Sequence, residues 1–183
     1  LILQQENLQL QLVMQAIIQN IKENGDEALF SYTKQFDKAD INASNVKVTD
    51  EEFEEAYKAV DPALLDVIRK ALVNIESYHE LQKQNSWFKS TPQGTMLGQK
   101  VTPLEKVGVY VPGGKAVYPS SVLMNIMPAK VAGVDKIIMT TPCNAEGKVN
   151  PAVLVAAKEA GADEVYKAGG AQAIAALAFP PGT

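Results

Sequence analysis

From Val107 onward the chain repeats one pattern: a short apolar run, a glycine or proline break, then an apolar stretch of helical length. Val107-Gly108-Val109-Tyr110-Val111 reads as a buried-type strand broken by Pro112-Gly113-Gly114. Lys136–Thr140 and Glu164–Ala168 read as the next two. Ser120 or Ser121 is expected to cap a helix reaching Ala132. Asn150, with Pro151 at the first helical position, opens a helix to Ala160 that closes on Gly161, and Gly169-Gly170 leads into an apolar helix from Ala171 to Phe179. Strands joined by helical crossovers run parallel, and right-handed connections bring every strand-to-helix turn to one edge of the sheet. Helix amino termini aim free amides into that edge, so its natural guest is anionic or nucleotide-like.

The preceding half is helical. Leu10, Val13, Met14, Ile17, Ile18 and Ile21 repeat at helical spacing up to Asn24-Gly25, and Asp26 is expected to cap a second, shorter helix. Thr49-Asp50-Glu51-Glu52 is a capping box opening a helix to about Val60. Asp61-Pro62 starts a longer helix, striped by Leu65, Ile68, Leu72 and Ile75, that reaches about Gln84. Residues 86 to 105, with Trp87-Phe88 and the Pro92-Gln93-Gly94 turn, read as a short hairpin and linker. The expected organisation is therefore α/β: a helical amino-terminal arm over 1–85, the linker over 86–105, and an incomplete Rossmann-like parallel-sheet domain over 106–183.

Composition narrows the class further. With 17 Lys plus Arg against 21 Asp plus Glu, the net charge of −4 gives no counterion-release drive toward nucleic acid. No apolar run approaches the ~20 residues needed to span a bilayer, and the first residues lack a basic leader, so neither a membrane partner nor secretion is expected. One cysteine suits a reducing cytoplasm. Leu1 in place of Met is expected not to be the true start.

The carboxyl-edge turns carry no established phosphate motif: neither G-x-G-x-x-G nor a Walker G-K-[ST] occurs. Pro112-Gly113-Gly114 is either a tight turn needing positive φ or a ligand approach. Gly169-Gly170 is either a helix–strand packing device or a ligand approach. Gln172, a neutral bidentate side chain among Ala, Ile and Leu, either faces solvent or meets a ligand. His79 continues the stripe of its helix and reads as a packed, hydrogen-bonded residue rather than a base. Cys143 reads as a small hydrophobe rather than a reactive thiol. One His and one Cys cannot assemble a metal site without carboxylates, and no catalytic triad suggests itself, so no catalytic or metal residue is assigned.

Several stretches together resemble histidinol dehydrogenase: Val107 through Gly114, Ser120 through Met124 with Pro128-Ala129 and Ala132-Gly133, and Gly169 through Ala178. Gly25-Asp26, Tyr32-Thr33, Phe36-Asp37 and Leu97-Gly98-Gln99 are similar to that family as well. The resemblance implies an NAD-dependent, zinc-containing homodimer that oxidises L-histidinol to L-histidine, with incomplete Rossmann-like domains related to aldehyde dehydrogenases. It places Tyr110 and Gln172 at NAD-contacting positions. Its zinc ligands and proton-transfer pair correspond to a part following residue 183, so this chain alone is expected to be inactive. Two rival readings are an interaction or dimerisation module, and a nucleotide-binding domain of another dehydrogenase.

Overall fold

The computed structural model describes residues 2–113 and 117–179. Pro180-Pro181 and the second glycine of Pro112-Gly113-Gly114 lie outside the described residues. Helix α1 runs Ile2–Phe36 as one element bent at Gly25, whose φ of 52° and ψ of −127° break the helical geometry. Gly25 thus separates the two expected helices, which adjoin across the kink, because only a residue without Cβ adopts that conformation cheaply. The apolar stripe divides at the same scale. Ile17 and Ile21 are buried, whereas Leu10, Val13 and Met14 remain exposed.

Helix α2 (Asp50–Ala59) opens with the predicted capping box, the Glu52 amide donating to Thr49 Oγ1 at 3.3 Å and the Thr49 amide to Glu52 Oε2 at 3.0 Å. Helix α3 (Pro62–Glu80) is capped by Asp61, which accepts from the Ala63 amide at 2.8 Å. It stops four residues short of Gln84 and buries Ile68 and Leu72 of its stripe. Strands β1 (Trp87–Ser90) and β2 (Met96–Gln99) form the expected antiparallel hairpin, with Trp87, Phe88, Met96 and Leu97 all exposed.

Strands β3 (Lys106–Tyr110), β4 (Lys136–Thr141) and β5 (Glu164–Lys167) form a parallel sheet in sequence order. Two helices make the crossovers, α4 (Pro119–Val131) and α5 (Pro151–Ala160). Asn150 caps α5 as expected, accepting from the Ala152 amide at 2.9 Å, and Gly161 closes it at φ 88°. Neither Ser120 nor Ser121 caps α4. The helix begins one residue earlier at Pro119, whose fixed φ and missing amide suit the first helical position, leaving Tyr118 as an N-cap without a side-chain bond. The last helix, α6 (Gly170–Ala178), starts one residue before the expected Ala171.

Alternation along the strands divides the packing. Val109, Ile137, Met139 and Val165 point to one face, where they join α4, α5, α2 and α3 in a single apolar core. The other face receives α6 and the second half of α1, whose Ile21, Ala28 and Leu29 pack with Ala168, Ala173 and Ala175. The outer edge of β5 is covered by the segment around Lys47: the Val48 amide donates to Val165 O at 2.9 Å and the Lys167 amide to Val46 O at 2.8 Å. That pairing removes a free edge that would otherwise recruit another strand.

Candidate functional site

The carboxyl ends of the three strands lead into the turns after Tyr110, Thr141 and Lys167, and a proline joins them. A Cβ on Gly113 would lie 2.8 Å from Pro142 Cγ, and one on Gly169 would lie 2.7 Å from Pro142 Cβ. Both glycines are therefore required by the ring between them. At Gly169 the ring gives a packing reason for the glycine, and at Gly113 it supplies a reason other than positive φ. Gly170 differs, with φ of 65° in the left-handed region.

Strand register brings the predicted residues together. Tyr110 is paired with Thr140, which is paired with Tyr166. Thr140 is buried, and its hydroxyl donates to Ala168 O at 2.6 Å, tying the end of β4 to the approach of the glycine turn. The Tyr110 hydroxyl accepts from the Gly170 amide at 3.4 Å. A Cβ on Gly170 would fall 2.7 Å from Gln172 Oε1. Tyr110 and Gln172 thus converge on Gly170. Gln172 is not on the solvent face: it is 1% exposed, because α6 turns its first-turn side chains inward against the end of the sheet.

Two features of this edge stand out energetically. Helices α4 and α6 both begin here without a side-chain bond from their N-cap residues, Tyr118 and Gly169. Among the described residues, the buried side-chain polar atoms with no hydrogen-bond partner are Gln172 Nε2 and Asp37 Oδ2. Asp37 lies near the same edge, close to the Gly169 amide. Burial raises its pKa and that amide holds it partly back. An unmade hydrogen bond on a buried group costs about 1–3 kcal/mol.

Cys143, in the Pro142 turn, is half-buried. Burial, seconded by Asp37, pushes its thiol up to about 11, so the neutral form prevails and nucleophilic chemistry is disfavoured. His79 is half-buried in the last turn of α3, with Nδ1 2.7 Å from Gln82 Oε1. Among the described residues no group of three or more His, Cys, Asp and Glu side chains is arranged to hold a metal ion. No described helix is long and apolar enough to cross a membrane. A cavity of about 450 Å³ lies between α1, α6 and the sheet face, lined mainly by apolar groups such as Leu29, Phe30, Ile138 and Leu177. Neither Tyr110 nor Gln172 lines it.

Sequence reasoning missed the wedging role of Pro142, whose readable signal was a proline directly after a strand and between two glycine turns.

Parallel strands joined by helical crossovers define a Rossmann-like α/β unit. Comparison with known proteins narrows the class to a family. The histidinol dehydrogenase profile matches residues 3–183. The histidinol dehydrogenase of Bacillus subtilis (strain 168) is 57% identical over 166 residues, covering 91% of this chain and 38% of that protein. That of Heliobacterium mobile is 54% identical over 166 residues, covering 91% and 39%. A crystal structure of histidinol dehydrogenase from Elizabethkingia anophelis superposes with a TM-score of 0.86 at 39% identity, covering 93% of this chain and 39% of that one. The chain belongs to the histidinol dehydrogenase family, and it spans about two fifths of the length of these relatives. That match disfavours the interaction-module and other-dehydrogenase readings.

Proposed function

We propose that this chain supplies the NAD seat of an enzyme that oxidises L-histidinol to L-histidine, working in the cytoplasm in histidine biosynthesis. The observation that carries the reading is Gln172, a fully buried amide with an orphaned Nε2, set beside the Tyr110 hydroxyl and the uncapped start of α6. Bound NAD would supply a hydride acceptor. The chain's own part is binding and orientation. Gln172 offers one donor for a ligand acceptor, Tyr110 offers a ring face and a hydroxyl, and the α6 amides favour a negative group such as a pyrophosphate.

Zinc and the proton-transfer groups would come from the portion of the family's length that this chain does not cover, which leaves the chain alone inactive. A homodimer is part of the same proposal, supported by the exposed apolar face at Leu10, Val13 and Met14. The test is titration of NAD⁺ into isotopically labelled protein. Amide shifts centred on Gly169–Gln172 and Tyr110, weakened by Tyr110→Phe, are the expected outcome. Shifts confined to a different part of the molecule would refute it, as would NADH formation when this chain alone is mixed with histidinol, NAD⁺ and zinc.

A further inference from the structure

The two outer edges of the parallel sheet are finished differently. The β5 edge is closed by the segment around Lys47, whereas among the described residues no strand pairs with the outer edge of β3. The ladder to β4 fixes which backbone groups that edge leaves over. The Lys136 amide donates to Glu105 O at 3.1 Å and the Val111 amide to Thr140 O at 3.0 Å, one at each end of the pairing. Residues that bond a given neighbour alternate along a strand, so Val107 and Val109 also turn their amides and carbonyls to β4. The amides and carbonyls of Lys106, Gly108 and Tyr110 therefore face outward. Tyr110 O takes a long bond of 3.4 Å from Asn125 Nδ2 and keeps a second lone pair. Lys106 and Gly108 are exposed. Leu177 of α6 lies against Gly108, where a Cβ would stand 2.9 Å from its Cδ1, so the helix covers the face of the strand and not its edge. The devices that blunt natural edges are also missing: β3 has no proline, no bulge and no charge beyond its first residue.

We propose that the outer edge of β3 binds a second copy of this chain, the two β3 strands pairing antiparallel about a twofold axis at Gly108. A second copy is the occupant because the edge complements itself. With the axis at Gly108, that glycine meets its own counterpart, and Lys106 meets Tyr110 of the partner subunit in both directions. These are the residues whose backbone groups face outward, so each of the three pairs exchanges two hydrogen bonds. Moving the axis to Val107 or Val109 keeps only two of the three pairs within the strand, and a shift of half a step sets outward residues against ones already bonded to β4. The side chains agree with the backbone. Lys106 is flanked in register by the like-charged Lys136 of β4, and the new pairing gives it the Tyr110 ring of the partner subunit. The pairing depends neither on the NAD reading nor on the apolar face at Leu10, Val13 and Met14.

The test joins light scattering on size-exclusion fractions to amide hydrogen exchange, at low and high protein concentration. The mass is expected to move from monomer to dimer as concentration rises, with exchange at the Gly108 and Tyr110 amides slowed about tenfold or more in the dimer. The Val107 and Val109 amides, bonded to β4, should be equally protected at both concentrations. Lys106→Pro deletes an outward N–H at the first position of the strand, where proline is tolerated, and should weaken dimerisation about tenfold or more. Lys106→Gln keeps that N–H and should dimerise within about threefold of wild type. A chain that stays monomeric at high concentration overturns the proposal. So does a monomer whose Gly108 and Tyr110 amides are protected at every concentration, the sign of a strand supplied from within the same chain. A dimer in which those two amides exchange freely overturns it as well, and none of these three readings needs a variant to fold.

Discussion

The amino and carboxyl edges of the same three-stranded sheet treat their polar groups in opposite ways. At the amino edge Glu164 accepts from Lys47 at 2.8 Å and from the Tyr166 hydroxyl at 3.1 Å, and it pairs with Lys136 at 3.2 Å. Beside it Asp163 accepts from the Ile137 amide at 2.7 Å. Helices α2 and α3 carry their own caps, and so does α5, which starts from the carboxyl-edge turn after β4. At the carboxyl edge α4 and α6 carry none, and Gln172 and Asp37 each keep an orphaned buried atom. Folding alone rewards satisfied groups, so the unsatisfied ones here are what the proposed ligand site has to account for.

Removing a partnered group should therefore be costly. Glu52→Ala is expected to lose about 3 kcal/mol in urea denaturation, because it deletes half of the capping box and leaves Lys167 buried and unpaired. Gly169→Ser sharpens the contrast further. Serine is ordinarily a good N-cap, yet its Cβ would stand 2.7 Å from Pro142 Cβ. The expected result is a loss of about 2 kcal/mol. A gain would show that the uncapped start of α6 is an accident.

A smaller effect belongs to the amino edge. Lys47, followed by Lys136 and Tyr166, holds the Glu164 carboxyl down at about 2 against an ordinary value of 4.5. A depressed carboxylate stabilises fully above its ordinary pKa, and the benefit drains as pH falls from 4.5 to about 2. Both lysines are substantially exposed, so the amount is about 1 kcal/mol. Melting temperature against pH should decline through that window in wild type and decline less in Glu164→Gln.

Much of the architecture was legible because it follows from local rules. Thr49, Asp61 and Asn150 announced three helix starts, and strand alternation announced the parallel sheet. Ser120 misled because a proline just ahead of it offered an earlier start with its φ already set. Asn24-Gly25 marked the kink that separates the two helical segments of α1. The site was only half visible. Its residue types at Tyr110 and Gln172 could be named, but the inward turn of Gln172 depends on how α6 meets the sheet. The meeting of Gly113 and Gly169 on Pro142 joins segments far apart in sequence, which periodicity cannot detect.

Gln172→Met tests the central claim most directly, since methionine keeps the length of the side chain while removing the orphaned donor. Its denaturation midpoint should match or exceed that of wild type, with NAD⁺ shifts at Gly170 lost or binding weakened by about tenfold. A variant destabilised by about 2 kcal/mol that still binds NAD⁺ as wild type does would make Gln172 an ordinary core residue and contradict the account.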